Sequence, residues 1–98
     1  MMTIVQVKEK MKRFIPQFLE NTKIDVDKMK KAIEAKEFDE LHKVAHSMKG
    51  YGKPFGFVHL GDYAANIQQK AEKNDLEGVI EHFKQLEAYI ENVQIEYI

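Results

Sequence analysis

His46 is followed by Lys49 at i+3 and Gly50 at i+4, and residues at those offsets share one face of a helix. A histidine ring supplies a nitrogen nucleophile that works near neutral pH. A lysine one turn later supplies a cation. A glycine leaves the surface bare, so that another molecule's backbone can come close. Together they are what a histidine needs in order to meet a phosphoryl group held by another protein. Lys49, joined by Lys53, disfavours a second positive charge on the ring and leaves it nucleophilic. The same ammonium can offset charge on a transferring phosphoryl group.

The chain holds no Gly-rich phosphate loop ending in Lys-Ser/Thr, and no carboxylate cluster near His46 to hold magnesium. The residues can accept a phosphoryl group but offer no means of activating one. A partner has to bring the metal and the acid groups.

These residues must be placed by helices. Leu76, Val79, Ile80, Phe83, Leu86, Ile90 and Val93 follow i, i+3, i+4, i+7 spacing, which predicts a helix over 75–93 with Asp75 as its N-cap and Asn74 ending the segment before it. Leu60, Ala64, Ile67 and Ala71 predict one over 57–73. Phe38, Leu41, Val44, Ala45 and Met48 predict one over 38–51 that carries His46. Upstream, one apolar face runs from Met11 to Ile33. Pro16 suits a first helical turn, so a short helix over 3–13 and a long one from near Ile15 are expected. The stretch Asn21 to Asp25 is a weak helix former and could break the long helix. The fold class read from these elements is all-α: an antiparallel four-helix bundle with a short N-terminal capping helix. Aromatic and methionine residues fall at core spacing and read as packing.

With Leu41 as zero and about 100° per residue, the apolar residues of the third segment lie within roughly 60° of the core direction. His46 falls near about 140°, Lys49 near about 80°, Lys53 near about 120° and His42 near about 100°. They form a polar ridge on the helix flank. Gly50 lies near about 180°, facing outward, where no turn calls for glycine. Gly52 lies toward the core, where close helix packing explains it, and Gly56 beside Pro54 reads as a loop residue.

Ninety-eight residues, with 15 basic and 16 acidic side chains and a net charge of −1, suggest one domain over residues 1–98 without the basic footprint of nucleic-acid binding. There is no cysteine, so no disulfide or Cys-based metal site can form. No apolar run is long enough to span a membrane. Charges break up the first fifteen residues, which argues against an export signal. A soluble, cytoplasmic protein is expected.

The segment Ala45-His46-Ser47-Met48-Lys49-Gly50, with Gly56-Phe57 and Leu60 beyond it, resembles the histidine-containing phosphotransfer (HPt) domain. Ile15 to Asn21 and Phe38 to Leu41 are similar to segments before the histidine in one branch of that family. The resemblance covers nearly the whole chain and implies a four-helix bundle. The implied activity is to take a phosphoryl group from a receiver-domain aspartate, hold it as phosphohistidine and pass it on.

By position, His46 matches the phosphoacceptor, Lys49 the neighbouring lysine, and Gly50 the small residue that permits receiver docking. Gln68 matches a glutamine that some members place beside the histidine. His42 and Lys53, on the same ridge, are candidate docking residues. Tyr51-Gly52 stands where small serine or alanine residues are common in the family, Lys53-Pro54 is less usual there, and both changes could tune partner choice. Response-regulator receiver domains and a hybrid histidine kinase are the implied partners of a monomeric carrier without kinase activity of its own. It needs no cofactor, and magnesium is expected on the receiver.

Three other readings compete. His42 and His46 at i, i+4 could present two nitrogens to zinc, but Lys43 stands where zinc proteases have Glu, and His59 and His82 lie on other segments. A histidine-kinase dimerisation fragment would follow its histidine with an acidic residue and an Arg-Thr-Pro run, which Ser47 to Gly50 does not match. A helical interaction module with no phosphoryl chemistry is the third, separable by a phosphorylation assay.

Overall fold

The computed structural model describes residues 2–98. It runs β1 (Thr3–Val7), a 3-10 helix (Glu9–Phe14), α1 (Ile15–Glu34), α2 (Phe38–Gly52), a 3-10 turn (Lys53–Phe55), α3 (Val58–Glu72), α4 (Leu76–Glu91) and β2 (Val93–Tyr97). Four helices share one core, and their bounds lie within about two residues of those expected from apolar periodicity.

The long first helix is unbroken through Asn21–Asp25, where the sequence allowed a break. Its weak helix formers have partners that keep them in place. The Thr22 hydroxyl donates to the Phe18 carbonyl at 2.8 Å, and the Gln17 amide donates to Asn21 Oδ1 at 2.9 Å. Such local bonds satisfy polar groups that otherwise compete with the helix. Pro16 sits in the first turn, where its missing N–H costs nothing. At the other end of the chain, Asp75 accepts from the Gly78 N–H at 3.0 Å and caps α4 as expected.

Packing of α2 on α3 fixes the site. Leu41, Val44, Ala45 and Met48 of α2 and Leu60, Ala64, Ile67 and Ala71 of α3 are all buried. Gly52 permits the closest approach: a Cβ there would lie 3.1 Å from both the Gly61 nitrogen and the Phe57 carbonyl oxygen. The chain then reverses through Gly56, whose φ of 92° is left-handed and favours glycine. Phe18 stacks on Phe55 at 4.6 Å and meets Tyr51 edge-on at 5.7 Å, so α1 is pinned against this turn.

The N-terminus corrects the expectation. Residues 3–7 form a strand, not the start of a helix over 3–13, and only Glu9–Phe14 coils, as a 3-10 helix. β1 pairs in parallel with β2, Thr3 opposite Val93 and Val7 opposite Tyr97. The fold is thus helical with a small sheet added, not all-α. Val5 and Val7 are buried while Ile4 and Gln6 face out, a period of two that only an extended chain provides. β-Branched residues favour that conformation. The Thr3 N–H donates to the Asn92 carbonyl and the Ile98 N–H to the Val7 carbonyl, extending the pairing at both ends. Among the described residues, no helix is long and apolar enough to cross a membrane.

Candidate functional site

Because the buried face of α2 is occupied by Leu41, Val44, Ala45 and Met48, His46 and Lys49 emerge on its flank and are exposed, as their angular positions predict. Lys53 is exposed too, but it belongs to the 3-10 turn just past α2. Its stem lies along α3, with Cγ 3.3 Å from the place a Cβ would take at Gly61. Neither Lys49 nor Lys53 forms an ion pair among the described residues. Both ammonium groups are therefore free to meet an anion.

Two i, i+4 pairs face one another across the helix interface. His42 and His46 come from α2, and Gln68 and Glu72 come from α3, where Ile67 and Ala71 are buried beside them. The four side chains interleave in one row. Glu72 Oε1 lies 2.9 Å from His42 Nε2. Gln68 Nε2 lies 3.3 Å from His42 Nε2 and 3.1 Å from His46 Nδ1. His46 thus turns Nδ1 inward to α3, and its Nε2 has no hydrogen-bonding partner among the described residues. The ring is held by one nitrogen and presents the other.

Gly50 is one turn beyond His46 on the same exposed surface. A Cβ built there meets nothing within 4 Å. Packing within the chain therefore does not call for glycine at this position, in contrast to Gly52.

The sequence profile of the Hpt domain family matches residues 13–96. The chain belongs to the Hpt domain family. Comparison with curated proteins and with solved structures finds no significant match. Membership brings the chain into phosphorelay histidine phosphotransfer, in which Hpt domains act as phosphocarrier modules meeting receiver domains and histidine kinases.

In this Hpt domain, Tyr51 and Gly52 have structural tasks. The Tyr51 hydroxyl donates to Asp25 Oδ2 at 2.7 Å. Burial, with the Asp25 carboxylate beside it, raises the Tyr51 phenol well above its ordinary range. Tyr89, packed against Tyr63 and His59, is pushed up to about 12, chiefly by burial. The departures at 51 and 52 thus support helix packing.

Glu72 was not singled out from the sequence. The available signal was its i+4 offset from Gln68, matching the offset of His46 from His42. His59 and His82 do not join the row. His59 lies against Tyr89, and His82 on α4 has an unpartnered buried Nδ1. Among the described residues, no group of three or more His, Cys, Asp or Glu side chains is arranged to hold a metal ion.

Proposed function

We propose that this Hpt domain carries phosphoryl groups on His46 Nε2, accepting from the aspartate of one receiver domain and delivering to another. The observation that carries this reading is the orientation of His46: Nδ1 anchored on Gln68 at 3.1 Å and the opposite nitrogen open on the surface. In the transfer, Nε2 attacks phosphorus in line with the departing carboxylate oxygen. The new N–P bond forms as the P–O bond breaks, and the aspartate leaves with the electron pair. Lys49 offsets charge on the equatorial phosphoryl oxygens. Gln68 fixes the ring, Gly50 gives the receiver backbone room, and His42 and Lys53 border the docking face.

The reading includes a single domain over residues 1–98, its four helices in antiparallel order, working as a monomer in the cytoplasm. It holds no cofactor of its own, because magnesium belongs to the receiver. It also lacks autonomous kinase activity, since no phosphate loop is present in the sequence.

The test is labelling from a phosphorylated receiver. Wild type should take up acid-labile, base-stable phosphate, and His46→Gln should abolish it while helical content stays. His42, His59 and His82 should each be dispensable as the acceptor. Persistent labelling of the His46→Gln protein would overturn the assignment.

A further inference from the structure

The row on the α2–α3 face has a fixed order: Glu72 Oε1, His42 Nε2, the Gln68 amide, His46 Nδ1. We infer that Glu72 and His42 set the polarity of this row and hold His46 as its Nδ1–H tautomer, with the lone pair on the exposed Nε2. The catalytic meaning of that tautomer rests on the phosphotransfer reading above.

The carboxylate fixes the first proton. An ionised carboxylate only accepts hydrogen bonds. At 2.9 Å from Glu72 Oε1, His42 Nε2 must therefore carry a proton and donate it. A nitrogen that bears a proton in the ring plane has no lone pair left to accept with. The Gln68 atom that the structure sets 3.3 Å away is Nε2, a donor facing this donor, and a half-turn of the amide is needed to put its oxygen, an acceptor, in that place. The oxygen and nitrogen ends of an amide are nearly isosteric and exchange by a half-turn, so their neighbours decide which one faces inward. Once turned, the oxygen takes the place that Nε2 holds 3.1 Å from His46 Nδ1, and Nδ1 must be the donor. That leaves Nε2 unprotonated.

The orientation that the structure carries, nitrogen inward, sets donor against donor at His42. Were that nitrogen to donate to both rings, it would turn the His42 Nε2 lone pair toward a carboxylate oxygen at 2.9 Å. It would also move the His46 proton onto Nε2, the nitrogen that has to attack phosphorus.

The polarity matters again during the reaction. Nδ1 keeps its proton while Nε2 gains a bond to phosphorus, so the ring acquires positive charge. A hydrogen bond from Nδ1–H to an amide oxygen strengthens as that charge develops. The row thus favours the transition state over the resting ring. Neither Glu72 nor His42 touches the reacting atoms, so they are positioning residues.

The experiment pairs imidazole nitrogen NMR with transfer rates from a phosphorylated receiver. In wild type, His46 should show a protonated Nδ1 and a bare Nε2. His42→Leu and Glu72→Gln should each yield a mixture of tautomers and slow transfer by roughly ten- to a hundredfold, the scale on which partners that orient a ligating histidine act. His42→Gln, whose amide hydrogens can bridge Glu72 and the Gln68 oxygen, should restore both. Glu72 is exposed, so its variant tests the row without threatening the fold. An unaltered His46 tautomer in both His42→Leu and Glu72→Gln, or a wild-type proton on Nε2, overturns the inference. A wild-type protein that takes no label counts against phosphotransfer instead, and the tautomer spectra still decide this point separately.

Discussion

The Tyr51 hydroxyl donates to Asp25 Oδ2 at 2.7 Å, tying the helix that bears His46 to α1 one residue beyond Gly50. The contact joins α2 to α1, whereas His46 turns toward α3. Tyr51→Phe should cost about 1.5–3 kcal/mol of stability, the range for a hydrogen bond to a charged group. Phosphotransfer at a temperature where the variant is folded should be nearly unchanged. Denaturant unfolding and a labelling time course would measure the two separately. A large loss of transfer without loss of stability would put Tyr51 on the receiver interface.

Alkaline pH should expose the same phenol, together with Tyr89. Unfolded tyrosines ionise at about 10, whereas in the folded chain burial raises Tyr51 further and Tyr89 to about 12. Above the unfolded value the folded state retains protons that the unfolded state gives up, so stability falls as pH rises. Below about pH 10 this contribution is fully present. Tyr51→Phe and Tyr89→Phe should each flatten the decline, measured as midpoint against pH from neutral to strongly alkaline. An identical slope in both variants would show that lysine titration, not these phenols, governs it.

Gly50 and Lys49 should separate approach from chemistry. Gly50→Gln should fold, gaining roughly 0.5 kcal/mol of helix propensity, because open space surrounds that position. Receiver affinity and transfer should both fall sharply, since the new side chain occupies the surface beside His46. Lys49→Ala should largely keep affinity while transfer slows or the phosphohistidine becomes shorter-lived. If Gly50→Gln leaves affinity and rate intact, the open surface at this turn has no role in docking.

Autonomy gives a simpler check. The purified protein with ATP and magnesium should stay unlabelled over the time in which a phosphorylated receiver labels it. Rapid self-labelling, with contaminating kinase excluded, would reveal a nucleotide site that the sequence pattern does not disclose.

The sheet should matter to stability more than its size suggests. Val7 is almost completely buried, and Val7→Ala removes two methylene equivalents at about 0.8 kcal/mol each. A loss of about 2 kcal/mol in chemical denaturation is expected once the small cavity is included. A change near zero would mean that β1 detaches at little cost.

The helices were legible because each keeps its apolar stripe over several turns, from Leu41 to Met48 and from Leu76 to Ile90. His46 could be placed on the flank for the same reason. The strands were not read, although Thr3-Ile4-Val5-Gln6-Val7 and Val93-Gln94-Ile95-Glu96-Tyr97 alternate visibly in retrospect. Five residues give too few periods to outweigh an adjoining helical pattern, and Val93 fits both. A parallel pair also needs a partner from the far end of the chain, which no local window contains. Glu72 escaped for a related reason. Its meaning depends on His42, thirty residues away in sequence and brought to 2.9 Å only by the packing of two helices.

The parallel ribbon has a mechanical consequence. Thr3 lies beside Val93 and Val7 beside Tyr97, so a tension drawing Thr3 and Tyr97 away from each other slides β1 and β2 along their length. The hydrogen bonds between them then resist together, in shear, where a hairpin pulled from its open end would unzip bond by bond. Under force this tie should yield in a single abrupt event. Until it gives, the helices that hold His46 and Gln68 are shielded from the pull.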